Sequence, residues 1–395
     1  MSESEYRPSS RILPIIVVSQ FFCTSLWFAG NGVMGELIST FTLGDSALSS
    51  MTSAVQLGFI AGTLIFAILS IADRFSPSKV FFVSALLGAL FNLCVIIEQN
   101  TFETLFLFRL LTGFFLAGIY PVGMKIAADY YQSGLGKSLS FLVGALVLGT
   151  AFPHLLKATS FSFPWQYVLV ITSSLATLGG SLMLLLVPNG PYRKARQKLD
   201  LGAIFKIFKN AEFRSASFAY FGHMWELYTF WAFVPFMLAT FLALHPTASL
   251  NLSLWSFVII GLGGLGCVIG GYLAQAYGSK GIAKAALALS GLCCLLSPVF
   301  YFVPSSPLFV GFLIFWGLVV IADSPLLSTL VAQSAPSETK GTALTIVNCI
   351  GFSITILSIQ LLGLLSNHIN PIYVYLVLAL GPIIGILGLQ TAKTD

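Results

Sequence analysis

Charged side chains are scarce in this chain. Asp, Glu, Lys and Arg make up 8% of the 395 residues, whereas 57% are hydrophobic and the mean hydropathy is +0.92. Since a soluble domain carries about 25% charged residues, a chain with so few cannot cover a water-facing surface. The composition therefore predicts an integral membrane protein. For the same reason, the net charge of +5 does not indicate a nucleic-acid partner, and we expect none.

Cysteine and histidine are also few, at six and four residues. Every cysteine lies in an apolar stretch, and no Cys/His set has the spacing of a metal site. Phosphate-binding loops are missing too. The glycine-rich segment 261–266 lies inside an apolar stretch and follows no strand, so it indicates a helix-packing surface. We therefore expect no metal, no cofactor and no pump driven by nucleotide hydrolysis.

What the chain does have is long apolar segments, each near the roughly 20 residues of a spanning helix. The twelve predicted spans are 12–35, 46–72, 79–98, 104–128, 136–158, 166–188, 213–243, 251–276, 282–303, 307–332, 341–366 and 371–391. Between the sixth and seventh, the stretch 189–214 holds seven Lys and Arg. The predicted organisation is a six-helix bundle at 1–188, a basic linker at 189–212 and a second six-helix bundle at 213–395.

The positions of the Lys and Arg side chains give the orientation, because positively charged segments stay on the cytoplasmic side of a membrane. If the N-terminus is cytoplasmic, 17 of the 19 Lys and Arg fall at cytoplasmic span ends or in the linker. Only Arg109 and Lys157 fall elsewhere, and Lys157 is expected to reach the outer surface together with His154. The pattern predicts a multi-pass protein of the inner (plasma) membrane with both termini cytoplasmic.

The two halves repeat one another. In each half a glycine stands eight residues before a proline, and a tryptophan lies in the first span. Three matches share an offset of 204 residues: Gly113 with Gly317, Pro121 with Pro325, and Trp27 with Trp231. A common offset indicates two bundles related by an axis along the membrane normal.

Several charged and glycine residues carry a family resemblance. They are Asp73, Arg74 and Lys79 between the second and third spans, Arg109, Gly113 and Gly118 in the fourth, and Gly271, Leu273, Gly278 and Lys280 in a second-half copy of the loop. On these residues the whole chain resembles the major facilitator superfamily. The loop departs from the family pattern, because Leu69 and Ser76 replace glycines, and in the second copy Gln275 replaces the acid.

The resemblance implies an all-α fold of twelve transmembrane helices in two pseudo-symmetric bundles. It also implies a secondary transporter rather than an enzyme, working by alternating access, with helices one, four, seven and ten around a central cavity. Asp73 and Arg74 lie at a cytoplasmic helix end, where opposite charges can latch one conformation. We expect them to form a cytoplasmic gate; the alternative is ordinary charge topology.

Ionisable groups inside a membrane usually face a cavity or a partner. Four such residues, Arg109, His223, Glu226 and Asp323, fall on the helices that the resemblance places around the cavity. His223 and Glu226 share a helix face, so we expect a protonatable site there, with Tyr228 beside it. In this interpretation His223 holds the Glu226 carboxylate or relays its proton; the alternative is a buried His–Glu pair that only packs.

The other polar residues of the predicted spans have two interpretations each. Arg109 is an anion anchor or the partner of a carboxylate. Asp323 pairs with Lys125 or binds a coupling ion. Trp27 and Asn31 supply a stacking face and hydrogen bonds to a solute, or they pack the first helix against its neighbours.

Four functions remain open on the sequence. The favoured one is proton-coupled uptake of a small organic anion or metabolite, because of Arg109. Proton-driven efflux of amphipathic compounds is the alternative, because the seventh span is rich in aromatic residues. An intramembrane enzyme that uses His223 and Glu226 lacks a third metal ligand, and a receptor without flux is the fourth. The expected partners are the solute, protons and the lipid bilayer, and the expected state is a monomer.

Overall fold

The computed structural model describes residues 9–131, 135–159, 163–193, 206–336 and 339–390, and these contain no strand. The first six membrane-crossing elements are α1 (Ile12–Thr24, continued by Ala29–Gly32 and Met34–Phe41), α2 (Ala47–Ile68), α3 (Pro77–Cys94), α4 (Phe102–Leu116, continued by Tyr120–Tyr130), α5 (Leu135–Thr159) and α6 (Gln166–Leu186). A short helix, Ile71–Arg74, lies between α2 and α3. We call α1–α6 the N-half.

The next six elements form the C-half. They are α7 (Ala211–Leu244), α8 (Leu252–Tyr277), α9 (Ser279–Tyr301), α10 (Ser306–Ala322, continued by Ser324–Ser334), α11 (Lys340–Ser366) and α12 (the 3-10 helix Val374–Ala379 with Leu380–Gln390). Among the described residues, ten elements are long and apolar enough to cross a membrane, and the first and last are built from shorter pieces. The fold is the predicted one of twelve helices. We call the membrane side that carries Pro188 and Asn210 the linker end and the other side the distal end.

Three of the twelve elements are broken in the middle. The break in α4 falls just before Tyr120 and that in α10 at Asp323, so Pro121 and Pro325 both stand in the first turn of the helix that follows. Proline is tolerated there because the first helical N–H groups have no partner within the helix. The repeated prolines of the sequence therefore mark a repeated break. The break in α1, at residues 25–28, has no proline and was not predicted.

Glycines bring α2 against α4 and α8 against α10 at backbone contact. A methyl group at Gly113 would overlap the backbone of Val55, and one at Gly317 would overlap that of Ile259. Gly62 and Gly266 meet the carbonyls of Phe114 and Leu318 in the same way. The offset of 204 residues therefore relates equivalent contacts in the two halves. The segment 261–266 is the packing surface that the sequence predicts.

The two halves meet along two pairs of helices, α5 with α8 and α2 with α11. Near the distal end, the Gln360 side chain donates hydrogen bonds to the Ser49 carbonyl (3.1 Å) and to Ser53 Oγ (2.9 Å). Within the described residues, these are the side-chain hydrogen bonds that join the halves. The halves are thus fastened to each other at the distal end.

Candidate functional site

Four aromatic side chains meet between the halves, and we call them the central aromatic cluster: Trp27 of α1, Phe59 of α2, Tyr228 of α7 and Phe352 of α11. The ring of Trp27 lies nearly parallel to those of Tyr228 (5.7 Å between centroids, 26°) and Phe352 (5.9 Å, 25°). Phe59 packs against Trp27 at 4.8 Å. Two of the residues predicted to lie at the solute site, Trp27 and Tyr228, are therefore in contact across the two halves.

Buried polar atoms without partners surround this cluster. Among the described residues, Trp27 Nε1, Trp231 Nε1 and the carboxamide of Gln56 have no hydrogen-bond partner, although all three side chains are almost fully buried. Gln56 stands one turn before Phe59 on α2. Asn31 is satisfied, because it donates to Thr52 Oγ1 at 2.8 Å. An unpaired buried polar group costs about 1–3 kcal/mol, so these atoms are suited to bind a ligand or water.

Arg109 lies in the break of α1 rather than in an open cavity. Its Nη2 donates to the Trp27 carbonyl at 2.7 Å, and its Nη1 donates to the Leu26 carbonyl (3.3 Å) and to Asn92 Oδ1 (3.2 Å). The side chain is 1% exposed and, among the described residues, pairs with no carboxylate. Since backbone in a membrane must be hydrogen-bonded, Arg109 supplies donors that the broken helix lacks.

Glu226 is fully buried inside the C-half. Its Oε1 accepts from Trp316 Nε1 (2.7 Å) and Cys294 Sγ (3.3 Å), and its Oε2 accepts from Ser290 Oγ (2.9 Å). These donors come from α9 and α10, so the carboxyl group points away from the central aromatic cluster. Its contacts are to hydroxyl, thiol and indole groups rather than to His223, and its role as a protonatable site stays a prediction.

His223 contacts Asp323 rather than Glu226. Its Nδ1 lies 2.9 Å from Asp323 Oδ1, and both side chains are buried. The two groups are at ion-pair distance but are not aligned as a hydrogen bond, and His223 Nε2 has no partner. Asp323 stands at the break of α10, which brings it to α7. The expected pairing of Asp323 with Lys125 is not formed in this structure.

The loop residues predicted to form a gate lie within the N-half. Asp73 Oδ1 is 3.2 Å from Lys125 Nζ, which also lies 3.4 Å from Asp129. Arg193, at the start of the linker, donates to the carbonyls of Asp73 (2.8 Å) and Phe75 (2.7 Å). Arg74 is exposed and, within the described part of the chain, forms no ion pair. In this conformation the pair makes no bond to the C-half.

At the distal end, the structure separates two residues that the sequence groups together. Lys157 is about 30% exposed and forms an ion pair with Glu36, as expected for a side chain near the membrane surface. His154 does not reach that surface: it is 2% exposed, and its Nε2 has no partner. The prediction for His154 is therefore wrong: this part of α5 packs against α1, where Pro153 meets Gly32, and the His154 side chain is buried.

Sequence reasoning missed the residues that hold the buried ionisable groups. Asn92 accepts from Arg109 while its Nδ2 donates to Ser173 Oγ at 2.9 Å, which ties α3, α4 and α6 together. A lone carboxamide in an apolar helix was a signal for this position. Ser290 and Cys294 stand one turn apart on α9, and this small polar stripe was the signal for the site around Glu226.

The described residues contain no group of three or more His, Cys, Asp or Glu side chains placed to hold a metal ion. Two bundles of six helices, helices broken at mid-membrane and ionisable groups buried within each bundle are the features of a membrane transporter rather than an enzyme. The model of the Major Facilitator Superfamily matches residues 16–359. The chain belongs to that family.

Solved structures of transporters share the fold. A bacterial homologue of the human lysosomal transporter Spinster, inward-facing and occupied, is 13% identical with a TM-score of 0.72, over 97% of this chain and 97% of that chain. The nucleoside transporter NupG is 16% identical with a TM-score of 0.73, over 97% of this chain and 100% of that chain. No curated protein sequence matches the chain.

Proposed function

We propose that this transporter moves a small solute together with protons by alternating access, and that Glu226 carries the proton. The observation that supports the proposal most is the division of α7 into two faces. Successive helical residues turn by about 100°, so Tyr228 is rotated by about 200° from Glu226. Tyr228 reaches Trp27 between the halves, and Glu226 reaches Trp316 and Ser290 inside the C-half.

Separate sites favour co-transport over exchange. A proton that competes with the solute for one place drives exchange, because only one of them is bound at a time. Here the carboxyl group and the central aromatic cluster lie on opposite faces of one helix, so both ligands can be bound together. We therefore propose uptake by symport. Efflux of amphipathic compounds remains the second candidate, and the aromatic character of the cluster favours it.

Glu226 suits a proton carrier because its site accommodates both forms of the carboxyl group. Three donors stabilise the ionised form, whereas burial favours the neutral form. Ser290 Oγ also lies 3.2 Å from the Leu287 carbonyl. When Oε2 carries a proton it donates to Ser290, whose own hydrogen then turns to Leu287. The change of protonation therefore leaves no polar atom at Oε2 without a partner.

A second pair supports the same role. Asp323 and His223 link α10 to α7 at mid-membrane, and each has an atom without a hydrogen bond. We propose that this pair responds to the protonation of Glu226, since both lie on the faces where α7 and α10 meet. Arg109 acts by holding the broken α1 in shape, and Asp73 and Arg74 act as the gate at the linker end when the halves tilt.

The proposal is tested by proton movement in proteoliposomes that enclose a pH-sensitive dye. Symport predicts that a transported solute added outside acidifies the lumen, whereas exchange predicts that it makes the lumen more alkaline. Glu226→Gln should abolish the proton movement and leave counterflow exchange of the solute intact. Glu98→Gln, a change at an exposed acid of the distal end, is the matched control. Normal proton movement with Glu226→Gln would sink the proposal.

For the orientation, we propose that the linker end is cytoplasmic, in the inner (plasma) membrane, and that one chain is the functional unit. The support is the charge pattern of the sequence, in which 17 of 19 Lys and Arg fall at predicted cytoplasmic span ends or in the linker, and both sides of the site come from one chain. Reporter fusions at Asn100 and Pro304 should score as external. A cytoplasmic score at either position would contradict the orientation.

A further inference from the structure

Two features limit the chemical class of the solute: the central aromatic cluster, and the hydrogen bonds that already occupy the guanidinium group of Arg109. We infer that the solute is a small molecule with a flat, unsaturated ring and no net negative charge, bound between Trp27 and Tyr228. The inference rests on the proposed transport function, and it names the chemical class that this site takes.

The position of the cluster satisfies what alternating access requires of a binding site. Trp27 and Phe59 belong to the N-half, and Tyr228 and Phe352 belong to the C-half. When the halves separate at this level, each presents a ring face that has lost its partner. A flat ring that enters the gap restores stacking with both faces, which is favourable beyond the burial of its apolar surface. A saturated ring or a chain restores burial only.

The polar atoms beside the cluster select for hydrogen-bonding groups on that ring. Trp27 Nε1 and Trp231 Nε1 are donors only, and both are buried without a partner. They fit acceptors such as a carbonyl oxygen or a ring nitrogen. Gln56 adds a donor and an acceptor, again unpaired. A ring that carries such groups repays the cost of burying these atoms, which a plain hydrocarbon ring does not.

The charges near the site exclude an anion. Arg109 is the cation at this depth in the N-half, and both of its terminal nitrogens donate to oxygen atoms of α1 and α3. The acids Glu226 and Asp323 lie in the C-half, and His223 is at ion-pair distance from Asp323. An anion in the cluster would therefore be buried without a partner, which is costly. A cation is favoured by the ring faces.

A matched series of indoles tests the inference. Tryptamine is a cation, indole-3-acetamide is neutral, indole-3-acetate is an anion, and all three share one ring; cyclohexylmethylamine is a cation with a saturated ring. The readout is the Tm of the purified protein, followed with a maleimide dye that reacts as the buried cysteines become exposed. We expect tryptamine and indole-3-acetamide to raise the Tm at concentrations at least tenfold lower than the other two compounds.

Variants locate the effect. Trp27→Leu should raise the concentration needed for stabilisation by at least tenfold, whereas Trp165→Leu, which changes an indole packed edge to face against Phe41 at the distal end, should leave it unchanged. If Trp27→Leu does not fold, Gln56→Met is measured instead. This variant should weaken stabilisation by indole-3-acetamide alone, because only that compound has an amide group to pair with Gln56. Equal stabilisation by indole-3-acetate, equal stabilisation by cyclohexylmethylamine, or none by any indole overturns the inference. Proton coupling is measured separately in proteoliposomes, so a failure of the proposed function can be told apart from a failure of the inference about the solute.

Discussion

The Gln360 side chain donates to the backbone carbonyl of Ser49 over 3.1 Å, and this bond ties α11 of one half to the first turn of α2 in the other. The same carboxamide reaches Ser53 Oγ at 2.9 Å. Both bonds lie near the distal end, and in a transporter that works by alternating access they must break when that end opens. They therefore set part of the balance between the two conformations.

Gln360→Ala is expected to shift this balance toward the distally open form. Each bond contributes about 0.5–1.5 kcal/mol, so losing both changes the ratio of the conformations by about tenfold. The measurement is the rate at which a membrane-impermeant maleimide labels Gln56→Cys, a buried position on α2 that takes part in neither bond, with and without the change at Gln360. Gln275→Ala, at an exposed position on the linker end of α8, is the control. An unchanged labelling rate would show that the two bonds form when the distal end closes but do not stabilise the closed conformation.

Asp73→Asn is expected to lower the transport rate several-fold with little effect on stability. The ion pair with Lys125 is 3.2 Å long and both side chains are 24% exposed, so its contribution to folding is under about 1 kcal/mol. The change removes the negative charge of Asp73, in the loop between α2 and α3 that Arg193 of the linker also contacts. We expect that charge to be needed when the linker end opens and closes. Initial uptake rates at matched expression test this, with Asp45→Asn at the distal end as control. Normal rates would remove Asp73 from the gate.

Arg109→Ala is expected to lower the free energy of unfolding by about 3 kcal/mol, because it leaves the buried carbonyls of Leu26 and Trp27 unpaired at about 1–3 kcal/mol each. Arg109→Lys should recover only part of this loss, since one ammonium group cannot reproduce the forked contact. Unfolding in denaturing detergent gives the values. Lys157→Ala, which breaks an exposed pair with Glu36, should cost under about 1 kcal/mol. If Arg109→Lys recovers the whole free energy of unfolding, a positive charge at this position is sufficient and the forked contact is not needed.

Ser290→Ala is expected to slow proton-coupled uptake by about tenfold while counterflow exchange continues, because the variant lacks the hydroxyl group that pairs with Glu226 in both protonation states. Ser290→Thr should restore the rate. Cys294→Ala removes only a weak donor to Oε1 and should change the rate by less than about twofold. If Ser290→Ala slows exchange and coupled uptake equally, the residue has a packing role.

The sequence predicts the twelve helices well, because apolar length and the placement of Lys and Arg depend on the membrane and not on tertiary contacts. Family, fold class and transporter function are confirmed. The break in α1 was not predicted, because residues 25–28 contain no proline or glycine and the chain breaks where Arg109 supplies donors from another helix. A break of this kind depends on a partner that is distant in sequence.

The site is predicted less completely than the fold. Glu226 and His223 share a face by spacing alone, but their partners lie on α9 and α10, and a sequence does not give the rotation of one helix against another. Trp27 and Tyr228 were both predicted to belong to the substrate or proton site, and the structure places their rings in contact across the halves. The anion preference rested on Arg109, which the structure places on carbonyl groups. The preferred solute charge therefore changes once the tertiary contacts of a single residue are known.

The glycine contacts between α2 and α4, and between α8 and α10, have a mechanical consequence. Where Gly113 rests on the backbone of Val55, and Gly317 on that of Ile259, there is no side chain to deform or slide. Each half is therefore stiff along this line of contact and moves as one rigid body. Rearrangement between the halves is then expected where side chains meet across the boundary, as they do in the central aromatic cluster. A displacement of one end of a half, caused by lateral pressure of the lipids or by a bound ligand, therefore moves the other end as well.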